Sequence, residues 1–399
     1  MSAPIGDRLR RARKRAGLSQ RELAERSGIS LSLVRKLEQG ERQDTRLETA
    51  RRLAAALRVP TTALIAAEAG DAAPAEAESA ARWDAVRDAL GAPADARDLD
   101  EPPTTAGVRA GLDLTISAYT SGDLDRISTF LPGLIRDADT LAALDDRRGR
   151  AIRMEVLQIT GRLMTQTRNY GAAETAFGRA AAETPDELHG AALANNQVWL
   201  LLRRGRLEEA DALATRWAGE LEPRLSQATP EDLSAWGWLL LRAAATASRD
   251  ARPDDAAHAL RLATAAAVTM PPVRPGPTLT RAGFIRRYTR LTVGMQRAEQ
   301  AMVEDRPDEV LRIAKSLAAK KLPPTVGNRN RHLLDVAHAQ VQTHQHTEAL
   351  DTLLLLERDA PQWLPHQRYA KEVLARIIAR RRSLTTDMRR LADTMRLPL

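Results

Sequence analysis

A chain of 399 residues with no cysteine holds no disulfide framework, cysteine nucleophile or thiolate zinc site, and suits a reducing cytosol. Alanine, leucine and arginine dominate, aromatics are 3% of residues and no apolar run approaches the roughly 20 residues of a membrane span, so the expectation is a cytoplasmic, all-α protein. The net charge of +8 is uneven, with 15 Lys and Arg against 7 Asp and Glu in residues 1–66, 3 against 10 in residues 67–106, and 42 against 35 thereafter; the basic excess is densest at the N-terminus, as attraction to phosphate requires.

The first predicted helix spans 5–16, a basic segment with Leu9 and Ala12 on one face. Ser19 and Glu22 form a capping box that starts a second helix over 20–26, and Ser27 and Gly28 stop it. Ser30 caps a third helix running to about residue 39, with Gly40 as terminator. Leu23, Ala24, Ile29, Val34 and Leu37 are the positions that pin these helices together. A fourth helix over 45–57 turns Leu47, Ala50, Leu53, Ala54 and Leu57 inward, and Pro60 opens a fifth that ends near Ala67. Ser32, Leu33, Arg35, Lys36 and Gln39 remain outward; an arginine there reaches guanine edges with two hydrogen bonds, and a serine hydroxyl reaches any base.

Residues 5–66 thus resemble the lambda-repressor-like helix-turn-helix family, often called XRE, over every helix of that domain. The resemblance implies a double-stranded DNA operator, a homodimer on two-fold sites, a phosphate contact by Gln20, and base contacts by Ser32, Leu33, Arg35 and Lys36. Leu33 stands where the family has a polar residue, and suits a thymine methyl instead. Arg21, Ser30, Gln39, Arg42 and Arg46 complete the expected DNA-facing set.

Residues 67–106 read as an acidic Ala/Pro-rich linker in which 82–90 form a short helix with Trp83 and Val86 on one side. From Val108 the pattern becomes paired amphipathic helices. The clearest unit carries Gly161, Met164, Tyr170, Ala173, Phe177, Ala180 and Pro185, with Gly161 and Ala173 letting the two helices touch and Phe177 and Ala180 facing the next unit. The same frame fits Leu201, Gly205, Leu207 and Ala210; then Pro253, Ala256, Leu260 and Ala263; then Pro307, Val310, Ala314 and Leu317; then Ala337, Ala349, Leu353, Leu356 and Pro361. Gly122, Leu124, Ile127, Leu131 and Leu134 suggest one more unit in front. This resembles the tetratricopeptide superfamily across about 108–362, another α-solenoid being the alternative, so that residues 107–399 form a repeat domain with terminal capping helices over 366–382 and 384–395. The proline-rich break at 271–277 reads as a change of pitch or a hinge, and the run 380–382 as a solvated basic face.

Aligning the units places Gln158, Arg162, Asn195, Asn196, Trp199, Arg203, Trp238 and Arg242 on or near a concave face, residue types that suit a bound peptide or small molecule. In peptide-binding tetratricopeptide proteins the position of Asn196 contacts ligand backbone, and Arg242 takes that position in the next unit. The asparagine pair reads equally as ligand contact or as mutual satisfaction, and each tryptophan reads as packing before ligand contact. His332, His338, His344 and His346 read as surface polar residues, because no carboxylate or cysteine cluster completes a metal site. No GxxxxGK loop and no Gly-x-Ser-x-Gly occurs, so no enzyme, catalytic residue, metal or cofactor is expected.

The two parts together resemble the cytoplasmic peptide-pheromone receptor regulators of bacteria, which implies a quorum-sensing transcription regulator whose repeats bind a signal and whose dimer holds DNA. The Ala- and Arg-rich composition suggests an actinobacterial source. The other reading is a DNA-bound scaffold whose repeats recruit a protein partner with no diffusible ligand.

Overall fold

The computed structural model describes residues 5–16, 18–42, 45, 47–57, 59, 64, 81–92, 102–144, 146–270, 288–318, 326–380 and 383–397, and no strand occurs among them. Arg46, the side chain of Leu47, the fifth predicted helix apart from Leu64, the proline-rich break at 271–277, and Arg381 and Arg382 lie outside the described residues.

Four short helices open the chain: α1 (Ile5–Arg15), α2 (Gln20–Ser27), α3 (Leu31–Glu38) and α4 (Leu47–Leu57). The Ser19 hydroxyl accepts from the Glu22 N–H while the Glu22 carboxylate accepts from the Ser19 N–H, so the capping box is present in full. Gly28 ends α2 at φ 62°, a left-handed conformation that glycine adopts without a Cβ penalty. Ser30 then caps α3. Leu9, Leu23, Val34, Leu37, Leu53, Ala54, Leu57 and Leu64 meet in one core, with Ile29, Leu31 and Leu33 half-buried against it.

The rest is an array of antiparallel pairs: α6 (Thr105–Ser121) with α7 (Leu124–Leu144), α8 (Asp146–Gln166) with α9 (Tyr170–Ala181), α10 (Glu187–Arg204) with α11 (Leu207–Glu220), α12 (Pro230–Arg249) with α13 (Pro253–Thr269), α14 (Arg290–Val303) with α15 (Pro307–Ala318), and α16 (Val326–Gln342) with α17 (His346–Asp359). A single short helix, α5 (Asp84–Gly91), precedes them; α18 (Arg368–Ile378) and α19 (Thr386–Thr394) follow. Trp83, at the N-cap of α5, and Val86 and Leu90 within it are buried in the same core as α7 and α9, a burial worth about 1.5–3 kcal/mol for each large side chain.

Each pair turns in the same way. One residue in the left-handed region, Gly122, Arg168, Gly205, Ala251, Asp305 or His344, stands two positions before the second helix of its pair. The N–H of the residue after it then bonds to a carbonyl five residues back, as in Asp123 to Ala118 at 2.9 Å and Gln345 to Gln340 at 2.7 Å. These bonds satisfy carbonyls that a helix end otherwise leaves without a partner.

Close contact within a pair depends on a small residue facing a large one. A Cβ on Gly161 of α8 would lie 2.4 Å from the Phe177 ring of α9, so Phe177 packs on its own unit's first helix as well as in the shared core. The first helices of successive pairs lie side by side, and α16 comes round to touch α6. Gln362 fastens this closure: its Oε1 accepts from the N–H of Leu124 at 2.6 Å and of Asp125 at 3.2 Å, and its Nε2 donates to Asp125 Oδ2 at 3.2 Å. The first helices therefore form an inner layer that nearly meets itself.

Candidate nucleic-acid interface and effector face

Glu38, at the end of α3, ties the first three helices together. It is 7% exposed, and its two oxygens accept from Arg13 Nε and Nη2, both at 2.7 Å, and from Gln20 Nε2 at 2.8 Å. Burial would raise the Glu38 pKa, but the hydrogen bonds from Arg13 and Gln20 and the Arg13 charge outweigh it and hold the carboxyl below its ordinary range. Gln20 has therefore given one amide hydrogen to Glu38 and retains a second at the start of α2, where a phosphate contact is expected. Arg21, Ser30, Ser32, Arg35, Lys36, Gln39 and Arg42 are exposed. Leu33 is half-buried against the core, which gives a packing reason for an apolar residue at that position.

On the inner layer, seven of the eight residues expected at a ligand face are interlinked or share one charged environment. Asn196 Nδ2 donates to Gln158 Oε1 at 3.2 Å, and Arg242 Nε donates to Asn195 Oδ1 at 2.8 Å. The Arg242 guanidinium is pushed down to about 9, first by burial and then by the charge of Arg331, with Arg162 adding to it. Trp199 carries the Arg331 guanidinium 4.6 Å from its ring centroid. Arg203 is exposed, but its charge reaches Arg331. Trp238 instead lies edge-on to Tyr288, ring centroids 6.1 Å apart, within the apolar core between units.

The histidine expectation needs correction, because two of the four are buried rather than on the surface: His332 is 7% exposed and His338 2%. His338 is held by the Tyr369 hydroxyl and, at 3.0 Å, by Arg376, while His332 is pushed down to about 4 by burial alone. Both sit on α16, which packs against α14, α17 and α18 and so has little solvent-facing surface. Among the described residues no group of three or more His, Cys, Asp or Glu is placed to hold a metal ion, and no helix is long and apolar enough to cross a membrane.

Residues 9–64 match the family model described as helix-turn-helix. The N-terminal domain is a helix-turn-helix DNA-binding domain. Comparison with curated proteins gives no match. Among solved structures, Bacillus thuringiensis PlcR in complex with the peptide PapR7 and DNA aligns with 66% of this chain and 94% of its own at 11% identity, with a TM-score of 0.26. That score is too low for the alignment to carry an argument about this chain.

The helix-turn-helix domain touches the repeats through α4. Arg51 lies over the Tyr369 ring of α18, 5.8 Å from its centroid, and its charge reaches Asp335 of α16. Arg52 Nη2 donates to the Gly28 carbonyl in the turn between α2 and α3 at 3.3 Å, while its Nε stands 3.7 Å from Asp305 in the turn between α14 and α15. Sequence reasoning passed over Arg51, Arg52, Tyr119, Glu299, Arg331 and Asp335. Arg331 had a signal, since it lies on the first helix of a recognised unit, but its approach to Arg162 depends on closure of the superhelix.

Proposed function

We propose that this chain is a sequence-specific transcription regulator: residues 1–66 bind an operator as a homodimer, and tetratricopeptide-type repeats in 107–399, joined through the acidic segment 67–106, sense a peptide or small molecule. The observation that carries the reading is the pairing of an exposed basic α3, braced from behind by Glu38, with an inner layer where Gln158, Arg162, Asn195, Asn196, Trp199 and Arg242 gather. The α4 contacts supply a route between the two, because a ligand among the inner helices bears on the element that Arg51 and Arg52 touch. Ligand binding would then shift an equilibrium between dimer geometries, and so the spacing of the reading helices.

The test is a gel shift on the gene's own upstream region across a salt series, with and without an extract of spent culture medium. Arg35→Ala is expected to lose about 1–3 kcal/mol of discrimination between operator and competitor. Arg42→Ala should weaken all sequences alike and lower the salt slope by about 1. A selective shift that extract leaves unchanged would favour the scaffold reading, and the absence of a selective shift would overturn the operator assignment.

A further inference from the structure

The inner layer carries more guanidinium charge than it neutralises. Arg249 is paired with Glu299, which also accepts from Gln296 Nε2 at 2.8 Å. Asp335, the other acid here, is pushed up by burial and by the nearby Glu299 charge, which weakens it as a counter-ion. That leaves Arg162, Arg242 and Arg331, from the second, fourth and sixth pairs, brought within each other's fields by the closed superhelix. Arg162 rests on the Tyr119 ring at 5.2 Å and Arg331 on Trp199 at 4.6 Å. Stacking occupies the flat face of a guanidinium and leaves its edge N–H groups to donate in the plane.

Two further donors point the same way. Arg162 Nη1 and Gln158 Nε2 are buried without any acceptor, in residues only 5% and 0% exposed. A folded protein rarely leaves buried donors unmatched, and an acceptor-rich group would match them together with the excess charge.

We propose that this layer is a carboxylate-binding site, in which Arg162, Arg331 and Arg242, with the Gln158 amide, hold an acid group of the effector. The assignment rests on the sensing reading above and narrows it to ligands bearing a free carboxylate, whether a peptide C-terminus or a small organic acid. Planar guanidinium edges donate two parallel N–H bonds to the two oxygens of a carboxylate, and the sulfate arm of the experiment below separates this from a general oxyanion site.

The experiment uses the full-length chain at constant ionic strength, with four probes: a random heptapeptide mixture made without Asp and Glu and with free C-termini, the same mixture amidated, citrate, and inorganic sulfate. Melting temperature and tryptophan emission are read for wild type, Arg162→Met and Arg331→Met. The free-acid peptides or citrate should raise the melting temperature and change the emission, since Arg331 sits on Trp199; which of them acts identifies the source of the carboxylate. Each variant should bind the active probe at least tenfold more weakly. Without probe each should melt at or above wild type, by about 2–4 °C, because a charge repelled by its neighbours and partly stripped of water has gone. Equal action by the amidated mixture or by sulfate, no response to any carboxylate probe, or variants that melt lower and keep the response would each overturn the proposal. A gel shift on the same samples separates the two readings. Probes that bind without changing DNA affinity would leave the carboxylate site standing and remove the sensing role; DNA affinity that responds only to amidated peptides would do the reverse.

Discussion

In the helix-turn-helix domain the buried Glu38 carboxylate receives hydrogen bonds from Arg13 and Gln20, so this charge taken out of water has its partners. In the inner layer of the repeats, Arg242 is buried and Arg331 half-buried, each with like-charged neighbours, and they are pushed down to about 9 and about 10, chiefly by loss of hydration. The same residue type serves two ends. A satisfied arginine fixes the angle between helices; one whose charge is not matched costs stability, and on the proposal above an anionic guest would offset that cost.

The comparison would be broken most directly at Glu38. Glu38→Ala leaves the half-buried Arg13 without its counter-ion and is expected to cost about 3–5 kcal/mol in urea unfolding, with loss of DNA binding. A cost near zero would mean that the two regions do not differ as described. Next comes His332, buried on α16 and pushed down by that burial to about 4, against about 6.5 in an unfolded chain. The unfolded state therefore takes up a proton at a higher pH than the native state. The stability that His332 contributes is full above about pH 6.5 and falls as pH drops through that window toward 4, by at most about 3 kcal/mol. His332→Gln should flatten the decline in urea midpoint between pH 7 and pH 5 relative to wild type; parallel curves would refute the assignment.

The smallest effect is expected where the two regions meet. Arg52 and Asp305 are 36% and 42% exposed, so Asp305→Asn should change stability by less than about 1 kcal/mol and the difference should vanish in high salt. A larger, salt-resistant loss in the melting curve would show that the junction is held by more than a screened pair.

The helix-turn-helix domain was the most legible part because its signals are local. Ser19 with Glu22, Gly28 and Ser30 each act on backbone groups within four residues, and the structure has each cap where the spacing put it. The repeats were legible in part. Only two of the six pair turns, at Gly122 and Gly205, use the residue that advertises a left-handed conformation; Arg168, Ala251, Asp305 and His344 adopt it at a local cost that packing of the pair overcomes. The buried His332 and His338 were misread because nothing in polar residues at helical spacing says that α14, α17 and α18 will enclose them.

By itself the sequence determined the all-α class, the helix-turn-helix and the rhythm of paired helices, because capping, glycine punctuation and apolar spacing are written in short stretches of chain. Tertiary structure alone decided which charges meet. Arg13 and Glu38 are 25 residues apart, and Arg162 lies 169 residues before Arg331. Only the packing angle of three small helices joins the first pair, and only a superhelix that closes α16 onto α6 brings the second pair into one field. Electrostatic energy depends on distance and burial, and neither follows from separation along the chain.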